Sequence, residues 1–183
     1  MSSRARTRDE PSETYRIDSH LDTRQAASGD SSEVLLVCTS GGHLLELHAL
    51  RAAWSGSTVA WVTTDTALAR SLLRAEQVFF ARTQLPRSAR NALPNLIMAW
   101  RLIGKCRPRA LVTTGAALAV PFAWAARLRG VPVIYVESAA RIESISLSCR
   151  LIAPIARRVY VQWPELLAQL PRARYAGSLF TLD

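Results

Sequence analysis

The chain has 183 residues, 49% of them hydrophobic, and a net charge of +9, which bounds it to one core-forming domain, or one domain with a tail. Three cysteines (Cys38, Cys106 and Cys149), odd in number and far apart, exclude a disulfide or zinc framework and read as buried thiols of a reducing compartment. The longest uncharged stretch, 110–126, contains Thr113, Thr114, Gly115 and Pro121 and falls short of the ~20 apolar residues of a spanning helix. The N-terminus has no apolar run of signal-peptide type.

Residues 1–32 hold five Arg against six Asp or Glu and almost no aliphatic side chains, so they are expected to be a disordered polar tail. The positive charge therefore falls on the body from residue 33 to 183, which suits an anionic partner: a nucleotide, a lipid diphosphate, an anionic membrane or nucleic acid. From Glu33 onward, short apolar runs alternate with helical periodicity. Strands are expected over 34–39, 58–63, 78–81, 110–114, 133–137, 159–162 and 173–176. Helices are expected over 43–53, 66–75, 88–106, 117–128, 146–156 (interrupted near Pro154) and 164–169. Gly130 followed by Pro132 reads as the C-terminal stop of the fourth helix. This alternation predicts an α/β fold, a Rossmann-like parallel sheet with helices on both faces. Such sheets bind ligands beyond the carboxyl ends of their strands.

The residues just past the strands are thus the candidate site. Ser40-Gly41-Gly42-His43 joins the first strand to the first helix. Its glycines permit close backbone approach, and free amides at a helix N-terminus form an anion site. His43 is a candidate base or phosphate donor; an ordinary turn capped by His43 is the plain alternative. Thr114 and Gly115 make a second glycine turn. Glu137 and Ser138 close the fifth strand, and Arg141 stands four residues after Glu137. That carboxylate either accepts a sugar hydroxyl or pairs with Arg141. No metal-ligand spacing and no cofactor fingerprint is present; His48 and Glu46 lie on the first helix, and His48 reads as a packed or surface histidine.

Between Arg87 and Arg109, Leu93, Leu96, Ile97, Trp100 and Ile103 recur at helical spacing with basic flanks. Two readings stay open. The stripe packs on the sheet, or Trp100, Arg101 and Lys105 contact a membrane surface. The aromatics do not interleave with basic residues as in a nucleic-acid platform, so nucleic acid is not an expected partner.

Four phrases taken together resemble a known family: residues 40–47 (SGGHLLEL), 113–122 (TTGAALAVPF), 133–141 (VIYVESAAR), and 161–166 (VQWPEL) with the closing YAGSLF of 175–180. They are similar to the acceptor-side subunit of the bipartite UDP-N-acetylglucosamine transferase of dolichol-linked oligosaccharide synthesis, and more closely to its bacterial capsule and exopolysaccharide counterparts. A more distant similarity is to the N-domain of the peptidoglycan lipid-linked N-acetylglucosaminyltransferase. The resemblance implies that residues 33–183 are the N-terminal half of a GT-B glycosyltransferase. It implies a separate donor-binding subunit, a polyprenyl-diphosphate acceptor and a peripheral position on the cytoplasmic membrane face, with no cofactor. Ser40, Gly41, Gly42 and His43 would then face the acceptor diphosphate, with His43 catalytic or only binding. Thr114, Gly115, Glu137, Ser138 and Arg141 would form the second cleft motif. The alternative function is a non-catalytic membrane scaffold that activates the partner.

Overall fold

The computed structural model describes residues 33–83 and 92–179. The expected tail, the start of the helix expected from Ser88, and the last residues from Phe180 lie outside them. The elements in chain order are β1 (Val34–Val37), α1 (Gly42–Ala49), a 3-10 turn (Leu50–Trp54), β2 (Val59–Thr64), α2 (Ala67–Leu72) and β3 (Gln77–Ala81). There follow α3 (Ala92–Cys106), β4 (Ala110–Thr113), α4 (Ala119–Leu128), β5 (Val133–Val136), α5 (Leu147–Ile152), β6 (Arg158–Val161), a second 3-10 turn (Pro164–Ala168) and β7 (Arg174–Tyr175).

All seven strands pair in parallel in one sheet, in the order β3-β2-β1-β4-β5-β6-β7. The chain winds outward from β1 toward β3, then returns to lay β4 against the other edge of β1, with Val34 opposite both Val59 and Ala110. The order reverses at this point, so the loops after β1 and β4 diverge to opposite faces and leave a crevice between them.

Alternation along the strands splits the core into two. Leu35, Val37, Ala60, Val62, Leu111, Val133 and Tyr135 face α3, α4 and α5. Leu36, Cys38, Trp61 and Val112 face Leu44 and Leu47 of α1 and Ala69 and Leu73 near α2. On this second face the sheet is only partly covered. A groove of about 440 Å³ runs over Val34, Val112, Ile134, Val136 and Tyr160, walled by Trp54.

Local chemistry sets the helix ends. Thr66 and Ser146 cap α2 and α5, each accepting an amide from three residues on, at 3.1 Å. These side chains stand just outside helices that the sequence pattern placed them in. Gly130, at φ 76°, closes α4: its amide reaches Arg127 O at 3.1 Å and the Val131 amide reaches Ala126 O at 2.9 Å, the paired bonds of a Schellman stop.

Of the α3 stripe, Ile103 packs into the core, as one of the two readings expects, and the other four members do not. The buried face is Asn95, Ala99, Leu102, Ile103 and Cys106, whereas Leu93, Leu96, Ile97 and Trp100 are exposed. Small Ala99 and Cys106 let α3 lie close against α4, and Asn95 is drawn in by bonds to both the amide and the carbonyl of Arg82 after β3, at 3.2 and 3.0 Å. Trp100 instead carries the Arg129 guanidinium 4.0 Å above its ring. Arg129 crosses Gly104, where an added Cβ would meet its Nη1 at 2.9 Å.

All three cysteines are buried, and none is in a disulfide. Burial pushes the Cys38 thiol from 9.0 up to about 12. Burial, and secondarily the Glu137 carboxylate, also push up Cys149 and Tyr135. A raised acid favours the fold while it is protonated. That stability is intact below the unfolded pKa near 9.0 and is lost as pH climbs through the folded value near 12. Unfolding stability is therefore expected to fall by about 1.4 kcal/mol per raised thiol for the first pH unit above the unfolded value. Urea titrations at neutral and alkaline pH check this, and Cys38→Ala should flatten the decline.

Candidate functional site

The loops after β1, β4 and β5 meet at the carboxyl edge of the sheet. After β1 the chain turns at Gly41, whose φ of 109° and ψ of −145° open a conformation that a Cβ would strain. Gly41 also serves as the N-cap of α1 without any capping side chain. Its carbonyl accepts the Leu44 and Leu45 amides, both at 3.1 Å. Among the described residues the Gly42 and His43 amides take no partner within the chain, and no acidic side chain occupies the first turn. Nothing lies within 4 Å of a Cβ placed on Gly41 or Gly42. The helix therefore presents two bare N–H groups and its positive dipole end to open space.

Ser40 is held in place by its neighbours. Its amide donates to Thr64 Oγ1 at 3.1 Å, and its hydroxyl shares a 2.6 Å bond with the Thr66 hydroxyl. The His43 carbonyl accepts the Thr114 hydroxyl at 2.9 Å, which ties the β1 loop to the β4 loop. His43 Nδ1 is buried and makes no hydrogen bond. Gly115, at φ 100°, lies where a Cβ would meet the Tyr135 hydroxyl at 2.6 Å, so the β4 loop can pass over β5 only with glycine there. Thr114 and Gly115 are both buried. They brace the crevice from behind, and the Thr114 hydroxyl is already committed.

Glu137 is fully buried and faces α5. One oxygen accepts the Tyr135 hydroxyl at 3.3 Å and the Ser138 amide at 3.1 Å. The other accepts the Ser146 amide at 2.8 Å and the Ser146 hydroxyl at 3.0 Å. Arg141 is exposed and forms no ion pair with Glu137; the ion pairs found among the described residues join Arg70 to Asp65 and Arg109 to Glu33. The anticipated Glu137–Arg141 pair is therefore replaced by a carboxylate that holds the start of α5.

Ser138 joins the site through a residue the sequence reading passed over. Glu46, on α1 and 5% exposed, accepts the Ser138 hydroxyl at 2.7 Å and the Ala139 amide at 3.1 Å on Oε1. Its Oε2 is buried without a hydrogen bond. The available signal was its place three residues after His43 on one helical face, between Leu44 and Leu47. Trp163, whose Nε1 donates to Ala139 O at 2.6 Å, pins the same loop from the β6 side. His48 packs near Trp61, with ring centroids 6.3 Å apart. Trp100, Arg101 and Lys105 lie on α3, across the sheet from α1, and all three are exposed. Among the described residues no three His, Cys, Asp or Glu come together as a metal site, and no helix is long and apolar enough to cross a membrane.

This parallel α/β sheet matches the N-terminal half of two-domain GT-B-like structures. MurG of Acinetobacter baumannii superposes with a TM-score of 0.67 at 20% identity, over 82% of this chain and 46% of that one. The chain belongs to the Alg14 family: a family model described as "Oligosaccharide biosynthesis protein Alg14 like" matches residues 34–179. Among its relatives, the UDP-N-acetylglucosamine transferase subunit ALG14 of Eremothecium gossypii is 31% identical over 82% of this chain and 81% of its own length. The subunit of the same name from Yarrowia lipolytica is 36% identical over 51% of this chain. The matched part spans 46% of the Yarrowia protein.

Proposed function

We propose that this chain is the acceptor-binding subunit of a two-component glycosyltransferase, moving a sugar from a UDP-sugar to a polyprenyl-diphosphate-linked acceptor. The observation that carries the reading is the bare Gly42 and His43 amides at the α1 N-terminus, facing open space beside the crevice where strand order reverses. A diphosphate is the anion such a site suits, and the names of the relatives supply the reaction class. His43 is the titratable side chain beside those amides, and acts as base or as phosphate donor.

The donor half belongs to a separate partner. The apolar groove floored by Val112, Ile134 and Val136 and walled by Trp54 and residues 176–179 supports a contact with that partner. The exposed Trp100 with Arg101 and Lys105 on α3 supports a peripheral contact with the cytoplasmic membrane face, where the lipid acceptor resides. A second reading, a scaffold that recruits and activates a partner owning all the chemistry, draws support from Glu137 and Thr114, whose polar atoms are taken up internally.

The test is reconstitution. The chain is mixed with a small donor-binding transferase subunit, a UDP-sugar and a polyprenyl-diphosphate sugar acceptor, and product is followed with each component omitted in turn. Activity should require both proteins. Full transfer by this chain alone would sink the two-component reading, and undiminished transfer by the partner alone would sink both readings.

A further inference from the structure

The sheet face that carries α3, α4 and α5 ends, beyond α5, in a groove of about 740 Å³. Arg150 of α5 and the turn at Ala153 and Pro154 wall one side; residues 170–174 wall the other, and Val159 of β6 lies between. Five arginines line it (Arg150, Arg157, Arg158, Arg172 and Arg174) and no carboxylate does. All five are exposed, and among the described residues none is in an ion pair. At this edge of the sheet Tyr160 of β6 lies opposite Arg174 of β7.

Guanidinium groups stay charged at every pH the protein meets, so a groove lined by five arginine residues and no carboxylate favours an anion. The planar, forked guanidinium matches phosphate oxygens in pairs. The volume falls within the ~300–1,000 Å³ that houses small organic ligands, well beyond one ion. The surroundings narrow the choice. On α5, Leu147 (54% exposed) and Leu151 (44% exposed) flank Arg150, and on the adjoining α4, Trp124 and Leu128 are 42% and 69% exposed. Neither α3, α4 nor α5 contains an Asp or Glu. A soluble phosphate gains nothing from an apolar shoulder, whereas a phospholipid at a bilayer surface uses both parts.

We propose that the groove between α5 and residues 170–174 binds the phosphate headgroup of an anionic phospholipid, with Leu147 and Leu151 resting at the acyl boundary. This rests on the membrane association proposed above, and moves headgroup recognition away from α3 to the β6–β7 edge.

The experiment is co-sedimentation of the full chain with phosphatidylcholine vesicles, with and without phosphatidylglycerol. Arg158→Gln/Arg172→Gln is compared with Arg51→Gln/Arg74→Gln, a pair of exposed arginines on the α1–α2 side. Thermal melts establish that both variants are folded. The groove variant is expected to bind the anionic vesicles about tenfold more weakly or worse, and the control within about twofold of the parent chain. Equal losses in the two variants would mean net charge alone is read, and would overturn the site. Equal binding to vesicles with and without phosphatidylglycerol would overturn it as well. Complete release by inorganic phosphate at matched ionic strength would reassign the groove to soluble phosphate and overturn the lipid. A parent chain that ignores every vesicle removes the membrane reading itself. Binding that survives loss of Arg158 and Arg172 removes this inference alone.

Discussion

Glu137→Ala is expected to cost on the order of 3–5 kcal/mol of folding stability, because a buried donor left without its acceptor costs about 1–3 kcal/mol. Four donors converge on this carboxylate: the Tyr135 and Ser146 hydroxyls and the Ser138 and Ser146 amides. The two hydroxyls can turn elsewhere; Tyr135 already lies 3.3 Å from Ser148 Oγ. The two amides cannot, and one of them opens α5. The loss should therefore be read as the loosening of α5 from the end of β5. Urea unfolding with Tyr135→Phe in the same background gives the check. Because its hydroxyl keeps Ser148 as a partner, Tyr135→Phe should cost less in the Glu137→Ala chain than in the parent, where it also gives up the bond to the carboxylate. A Glu137→Ala loss below about 1 kcal/mol would show that the network holds nothing.

The largest effect on activity is expected at His43. In the proposed two-protein enzyme, His43→Ala should lower kcat/KM for the lipid acceptor by about 100- to 10,000-fold, the span that positioned proton-transfer and charge-stabilising groups supply. How the loss divides assigns the role. A fall in kcat together with a lost limb in the pH profile identifies a base. A rise in acceptor KM with an unchanged profile identifies a diphosphate ligand. Folding should be little affected, because the contact that fixes this residue is made by its backbone carbonyl with Thr114 and its Nδ1 bonds to nothing. Transfer at the parent rate would leave His43 outside the chemistry and favour the scaffold.

The sheet was readable from the chain because each strand is a short apolar run ended by turn residues, as with Val34–Val37 before Ser40-Gly41-Gly42. Local periodicity and punctuation suffice for that. The α1 loop was readable too, since its geometry depends on two consecutive glycines and nothing distant. What escaped was the destination of polar side chains. Glu46 meets a serine 92 residues away, and Glu137 meets the cap of a helix nine residues on; no local pattern encodes either. Asn95 shows the same limit inside a helix. A hydrophobicity count turns Leu93, Leu96 and Ile97 inward. The structure turns Asn95 inward, because two bonds to the Arg82 backbone and the close fit of Ala99 against α4 outweigh it. Arg141, four residues past Glu137 in sequence, is exposed and does not pair with it, because the carboxylate is taken up by the donors around Ser146.

The position of β1 also governs the order in which the molecule can be assembled. β1, the first strand among the described residues, lies at the centre of the sheet, between β2 and β4. β2 follows promptly, but the other edge of β1 stays open until residues 110–113 arrive and register Val34 against Ala110. Throughout that interval a nascent chain displays Val34–Val37 as an unpaired, wholly apolar edge, the kind of strand that recruits wrong neighbours. Substitutions that slow the arrival of β4 should therefore lower the yield of soluble protein more than they lower the stability of the molecules that do fold.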